Sequence, residues 1–249
     1  MRIAVAGGTG VAGRHTVRAL ADAGHDVVVL ARSHGVDLAD GQGLDAALAR
    51  VEVVVDTSNV PTLNRRAAVD FFTEVTSRLL AAETRHAVRH HVVLSIVGVD
   101  RVDTGYYAGK RKQEELVRTG DVPWSILRAT QFHEFPGQLL DRGPSSVALL
   151  PRMRIQPVAA REVGEDLARI ATGPPLGAAP ELAGPEVHEL VDLARQLAAR
   201  RGRPRRVVGV PVPGRAGRAM ASGALLPSGP ATRGIQTYAE WLADADEGR

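Results

Sequence analysis

The chain has 249 residues, 44% hydrophobic and 24% charged, which is the range of a globular protein and enough for one substantial α/β core. It contains no cysteine, which excludes a disulfide framework, a thiolate metal site and a thiol nucleophile, and nothing points to an oxidising compartment. The formal net charge is only +3 despite a sequence pI near 9.8, so the basicity does not argue for a nucleic-acid partner.

The N-terminus reads as a strand from its third residue, without a charged leader and long apolar run. Gly, Pro or Arg interrupts every apolar stretch short of the roughly 20 residues that a membrane-spanning helix needs. A cytoplasmic protein with no membrane segment is expected.

Up to about residue 130, short β-branched runs alternate with segments of helical period, the pattern of a parallel sheet with right-handed crossovers. The spacing predicts strands over 2–6, 26–31, 52–56, 91–96 and 124–128, with a stub at 36–37. Helices are predicted over 11–23, 44–50, 65–83 and 106–118. Beyond residue 130, Pro and Gly become frequent, and helices are expected over 161–171, 187–201 and 235–243. The stretch 209–234, rich in Pro, Gly, Ala and Ser, has the composition of a mobile loop or lid. Together these predict a Rossmann α/β fold, a doubly wound parallel sheet in a single domain over 1–249. Residues from about 131 to 249 would form a small, loop-rich, substrate-binding cap. The basic run 200–206 has no interleaved aromatic residues for base stacking and reads as solvated surface.

The turn after the first strand places glycines at Gly7, Gly10 and Gly13, with Thr9 between them and Val11 opening the helix. Gly7 permits the tight turn, Gly10 lets the backbone approach a pyrophosphate, and Gly13 lets the helix pack closely on the sheet. Phosphates would meet free N–H groups at a helix N-terminus, where the dipole also favours anions. At the end of the second strand, Arg32 stands where an NAD site usually has an acidic residue. A guanidinium can pair with a 2′-phosphate and cannot accept from ribose hydroxyls, so NADP(H) is expected over NAD(H). Asp37, at the tip of the third strand, and Leu38 are placed to border the adenine. The polar run Thr57, Ser58 and Asn59 is placed beside the nicotinamide.

Lysine occurs only at Lys110 and Lys112, with arginine supplying every other basic residue. Tyr106 precedes Lys110 by four residues and so shares its helix face. A neighbouring ammonium favours phenolate and is expected to lower the phenol's pKa, while Lys110 would also hydrogen-bond the nicotinamide ribose. Ser95, at the carboxyl end of a central strand, could orient a substrate carbonyl to which Tyr106 gives a proton. Tyr107 competes for that role, since three-residue spacing also shares the face. Phe132 and His133 follow the last parallel strand and are pocket candidates. His86, His90 and His91 suggest no metal site, because adjacent strand positions point to opposite faces and no carboxylate stands at ligand spacing. Tyr238 and Trp241 are expected to be packing residues.

Taken together, AGGTGVAG at 6–13, VLSIVGVD at 93–100, YYAGKRKQEE at 106–115 and WSILRATQFHEF at 124–135 resemble the atypical short-chain dehydrogenase/reductases, particularly the NmrA-like NAD(P)-binding group. LAGPE at 182–186 and YAEWLAD at 238–244 also look like that group. The resemblance implies that Gly7, Thr9, Gly10 and Gly13 bind pyrophosphate, Arg32 the 2′-phosphate, and Ser95, Tyr106 and Lys110 the reacting end. Two departures stand out. The link from Arg32 to Asp37 is too short for the usual crossover helix, and Gly109 replaces the family's usual Ala, which would loosen the helix. The implied activity is NADPH-dependent reduction of a small-to-medium carbonyl or enone, possible in bacterial secondary metabolism, by a monomer or homodimer acting on a small molecule. The group also holds non-catalytic NADP(H)-sensing regulators, and the same fold serves epimerases, isomerases and cyclisation catalysts.

Overall fold

The computed structural model describes residues 1–142, 146–201 and 206–247. The first half of the chain runs β1 (Arg2–Ala6), α1 (Val11–Asp22), β2 (Asp26–Leu30), α2 (Leu44–Ala47), β3 (Val53–Asp56), α3 (Arg65–Arg85), β4 (His90–Ile96), α4 (Gly105–Thr119) and β5 (Trp124–Ala129). It continues through α5 (Phe135–Arg142), β6 (Val147–Pro151), β7 (Arg154–Ile155), α6 (Ala160–Thr172), β8 (Gly177–Ala178), β9 (Glu181–Ala183) and β10 (His188–Glu189). The last elements are α7 (Leu190–Arg200), β11 (Arg206–Val210), α8 (Gly214–Ala221), β12 (Ala231–Arg233) and α9 (Tyr238–Glu247). Two compact units result. One comprises Met1–Ile96, Thr104–Arg128 and Arg161–Pro180, and the other Val97–Asp103, Ala129–Ala160 and Glu181–Arg249.

The first unit holds a sheet in the order β2-β1-β3-β4-β5-β8. β1 pairs in parallel with β2 on one side and with β3 on the other, so that Ala4 lies opposite both Val28 and Val54. Its central strands β1, β3 and β4 are buried almost throughout, as an apolar run such as Val53–Asp56 requires when both faces of a parallel sheet are covered. Because β2 and β3 flank β1 on opposite sides, the order reverses between β1 and β3. In an open parallel sheet, a ligand crevice forms outside the carboxyl ends of such a strand pair. This is the expected Rossmann-type α/β architecture.

The stub expected at 36–37 is not a strand. After β2 the chain makes a short 3₁₀ turn, Arg32–His34, and then folds back on itself. Gly35, Gly41 and Gly43 lie at φ +77, +86 and +75, a left-handed region that lets a loop reverse without side-chain strain. The Asp37 N–H donates to the Gln42 carbonyl at 3.0 Å. Val36 and Leu44 anchor the loop in the core, so the segment packs without a strand partner.

Gly109 does not loosen α4. A Cβ there would meet the Ala68 carbonyl and the Phe72 ring at 2.7 Å, and one at Gly105 would overlap the Leu63 carbonyl. The two glycines, four residues apart, are what bring α4 into close contact with α3.

The second unit contains the parallel pair β9–β12, with Ala129 joining opposite Leu182. A second parallel pair is β6–β11, and β7 pairs with β10 in antiparallel fashion. The expected lid over 209–234 contains α8 and β12 instead. α8 forms because Gly217 and Met220 fall three residues apart on one buried face. Residues 202–205 of the basic run lie outside the described residues. Among those described, no helix is long and apolar enough to cross a membrane.

Candidate functional site

The carboxyl end of β1 leads into the glycine turn. Gly7 sits at φ +70, and a Cβ on it would meet the Thr57 carbonyl at 2.8 Å and the Ser58 nitrogen at 3.0 Å. A Cβ on Gly13 would overlap the Gly7 carbonyl, whereas one on Gly10 would meet only that same carbonyl at 3.2 Å. Gly13 thus serves packing of the helix against its own turn rather than against the sheet. α1 starts at an N-cap, Gly10, that offers no side-chain cap, and its first turn holds no acidic residue. Its leading N–H groups are therefore left for an external acceptor. Thr9 and Gly10 are exposed, and Val11 is half-buried. Beside them, Ser58 is 5% exposed and its hydroxyl has no hydrogen-bond partner. A buried hydroxyl in that condition costs about 1–3 kcal/mol unless a ligand or water meets it.

Arg32 stands exposed just past β2, with no described hydrogen bond or ion pair on its guanidinium. Asp37, expected at a strand tip, instead accepts from the Ala39 N–H at 2.8 Å within its own loop. Leu38 is half-buried against the cluster of Val36, Leu44 and Leu48.

Thr104 caps α4 by accepting from the Tyr107 N–H. Tyr106 follows, its ring edge-on to Phe72 and tilted against Tyr107, with both centroids 6.0 Å away. Its hydroxyl donates to Asn59 Oδ1 at 2.7 Å. Burial, with a smaller contribution from Tyr107, pushes the phenol pKa well above its usual value. That overturns the expected lowering by Lys110, and the position of the lysine explains why. Lys110 is 4% exposed and its Nζ donates to the Leu94 carbonyl at 2.6 Å and to Gln113 Oε1 at 2.5 Å, lying over the Phe72 ring. Gln113 passes the connection on, donating to Asp56 Oδ2 at 2.8 Å, and Asp56 Oδ1 accepts from the Ser58 N–H at 2.8 Å. Burial lowers the Lys110 pKa to about 8, against the pull of Asp56 and Glu114.

Ser95 is held elsewhere. Its hydroxyl donates to Glu114 Oε1 at 2.6 Å, and Glu114 also takes a bidentate contact from Arg128 and one from Arg118. Burial opposes ionisation of this carboxyl, but the hydrogen bonds from Arg128 and Ser95 outweigh it and hold the pKa below the usual range. The three expected reacting-end residues therefore occupy one unit without being hydrogen-bonded to one another.

In the second unit, His133 is fully buried, its Nε2 meeting the Gln236 carbonyl at 3.0 Å. Its ring packs on Tyr238 and Trp241 at centroid distances of 5.6 and 5.7 Å, the packing role expected of the last two. Phe132 is half-buried and bridges to Val158. His90 pairs with Ser125, and His91 with Glu83 at 2.8 Å. Among the described residues, no group of three or more His, Asp or Glu is arranged to hold a metal ion.

Asp56, Gln113 and Glu114 were not singled out from sequence, whereas Asn59 was, as part of the polar run 57–59. Asp56 borders that run. Gln113 falls seven residues after Tyr106, on the same helix face, which is the one signal that pointed to it.

Residues 3–100 match the model of the NAD dependent epimerase/dehydratase family, and no curated protein matches the sequence. Among solved structures, a short-chain dehydrogenase/reductase superfamily protein from Agrobacterium tumefaciens with bound NAD is 21% identical, with a TM-score of 0.72 over 100% of this chain and 97% of that one. The NADPH-dependent quinone oxidoreductase QOR2 of Escherichia coli, complexed with NADPH, is 17% identical, with a TM-score of 0.72 over 98% and 99% of the two chains. The triphenylmethane reductase of Citrobacter sp., complexed with NADP(H), is 16% identical, with a TM-score of 0.63 over 92% and 93%. The chain shares the Rossmann-type fold of these proteins, and its N-terminal part matches the NAD dependent epimerase/dehydratase family.

Proposed function

We propose that this chain is an NADP(H)-dependent oxidoreductase that reduces a small-to-medium carbonyl or enone, with Tyr106 as the proton donor. A nicotinamide dinucleotide suits the residues present: a glycine turn that any Cβ at Gly7 or Gly13 would fill, an uncapped helix start, and the unpartnered Ser58 hydroxyl beside it. The N–H groups of Val11, Ala12 and Gly13 would hold the pyrophosphate, and Arg32 the 2′-phosphate. When bound, the reduced cofactor supplies hydride.

The observation that carries the reading is the Tyr106 phenol, held at 2.7 Å on Asn59 in the loop next to the glycine turn and in the same unit. A neutral phenol can give a proton to a carbonyl oxygen at physiological pH. Lys110 supports it from within the protein, through Gln113 and Asp56 to the loop bearing Ser58 and Asn59. The test is NADPH oxidation across a broad panel of carbonyls and enones, with Tyr106→Phe alongside. Turnover that Tyr106→Phe abolishes is expected, and no turnover on any of the panel would overturn the reading.

One observation favours the non-catalytic, cofactor-sensing reading: the polar groups of Ser95, Tyr106 and Lys110 are all engaged inside the protein. That reading predicts a partner protein whose affinity differs between the NADP⁺ and NADPH forms. A pull-down insensitive to cofactor redox state would remove it.

A further inference from the structure

We propose that Asn59 is the positioning residue of the Tyr106 phenol. One end of its side-chain amide holds the hydroxyl at rest, and the other stabilises the phenoxide that remains once the proton has gone. The inference rests on the reading of Tyr106 as proton donor and assigns the partner that makes such a donor workable.

A phenol that gives up its proton must leave a stabilised anion, and a nearby ammonium is the usual means. Among the described contacts, Lys110 makes none with the phenol. The Lys110 Nζ donates to the Leu94 carbonyl and to Gln113, and the phenol pKa is raised rather than lowered. The Ser95 hydroxyl is committed to Glu114. The group in hydrogen-bond contact with the phenol oxygen is Asn59, at 2.7 Å.

The contact is fixed from both sides. The Tyr106 ring is set against Phe72 and Tyr107. The loop carrying Asn59 is tied down by the N–H and hydroxyl of Thr57, both donating to the Ala6 carbonyl, and by the Ser58 N–H on Asp56. Asp56 is in turn held by Gln113. The remaining freedom is rotation of the amide about its last bond, which exchanges Oδ1 and Nδ2 at the same position in space.

With Oδ1 toward the phenol, the hydroxyl proton is held. With Nδ2 toward it, the amide donates to the phenol oxygen and the O–H is free to point at a substrate. The step then balances. The Tyr106 O–H bond breaks and its proton goes to the carbonyl oxygen, while the carbonyl carbon accepts hydride from NADPH, which becomes NADP⁺. The phenoxide is stabilised by the Asn59 Nδ2–H and is reprotonated from water. Asn59 acts on the phenol and not on substrate, so it is a positioning residue.

The experiment uses the full chain with NADPH and 9,10-phenanthrenequinone as carbonyl probe, and follows the tyrosinate absorbance through an alkaline titration. Subtracting the titration of Tyr106→Phe isolates Tyr106 from Tyr107 and Tyr238. Asn59→Asp keeps the shape but can only accept, and it faces the phenoxide with a like charge. It is expected to move the Tyr106 titration further up and to lower kcat about 100-fold, the loss typical of one oxyanion donor. The basic limb of the kcat profile should move in the same direction. Asn59→Ala, which removes the donor without adding charge, should show a smaller loss of the same kind. An unaltered titration and kcat profile in Asn59→Asp, beside an inactive Tyr106→Phe, overturns the proposal alone. A fully active Tyr106→Phe overturns the reading of Tyr106 on which it rests.

Discussion

The starts of α1 and α4 lie in the same unit and are both shaped by glycine, yet they treat polar groups in opposite ways. α1 begins without a side-chain cap or an acidic residue, beside a buried hydroxyl that has no partner. α4 begins capped by Thr104, and the polar atoms that follow it are joined into a chain from Leu94 through Lys110, Gln113 and Asp56 to Ser58. The first end leaves donors for something outside the protein. The second uses its donors to fix the geometry of neighbouring loops. Unmet donors mark binding, and fully met buried networks mark positioning.

The sharpest way to break this contrast is at Gln113, which is fully buried and joins a lysine to an aspartate. Gln113→Leu leaves both charges without their connecting partner, and removing one member of a buried charged network costs roughly 3–5 kcal/mol. Urea unfolding should show that loss, and a change below about 1 kcal/mol would mean that the network is solvated in solution. A somewhat smaller effect follows from the lysine itself. Below pH 8 both folded and unfolded chains carry the Lys110 proton, and the folded state bears the cost of burying it. Between about 8 and the ordinary 10.5 the folded chain has released it and the unfolded chain has not. The unfolded state then binds more protons, so this group's contribution makes stability rise with pH across that window, by up to about 3 kcal/mol. In Lys110→Met the rise should vanish. A rise that persists in the variant must come from another group.

At α1 the contrast is tested by filling the turn. Gly13→Ala puts a Cβ into the Gly7 carbonyl, and strain of roughly 2–3 kcal/mol is expected from overpacking at so close an approach. If the turn is the phosphate cradle, most of that should appear as an NADPH affinity about 100-fold weaker by fluorescence titration. Unchanged affinity would detach the turn from cofactor binding.

These two regions also differ in how far they could be read from the sequence. Gly7, Gly10 and Gly13 do their work within a few residues of one another, so covalent geometry alone ties spacing to shape. Tyr106 and Lys110 were readable as one helix face for the same local reason. Where their polar atoms go was not, because Tyr106 meets Asn59 from 47 residues away and Gln113 meets Asp56 from 57. No periodicity encodes such pairings. Ser95 was correctly placed on a central strand, but strand alternation does not say that Glu114 waits on the side it faces. At 36–37 two strand-compatible residues suggested a stub, and the glycines flanking them decided for a folded loop. The same limit explains 209–234, where a Pro- and Gly-rich composition concealed the short buried face of α8.

The smallest effect concerns a residue on neither helix, and it separates binding of the dinucleotide from choice between its two forms. Arg32 is exposed, with no described contact that would be lost on replacement, so Arg32→Ser should leave the unfolding midpoint unchanged. A charge-assisted hydrogen bond to a 2′-phosphate is worth about 1.5–2 kcal/mol at an exposed site. The variant should therefore lose roughly 10- to 30-fold in NADPH affinity while NADH binding holds steady. Because that term is electrostatic and open to solvent, the difference between wild type and variant should shrink as salt is raised. Equal losses for both dinucleotides would place Arg32 on a group that they share, such as the ribose or pyrophosphate. No loss for either would mean that the 3₁₀ turn after β2 holds the side chain away from the crevice, and would remove the ground for expecting NADP(H) over NAD(H).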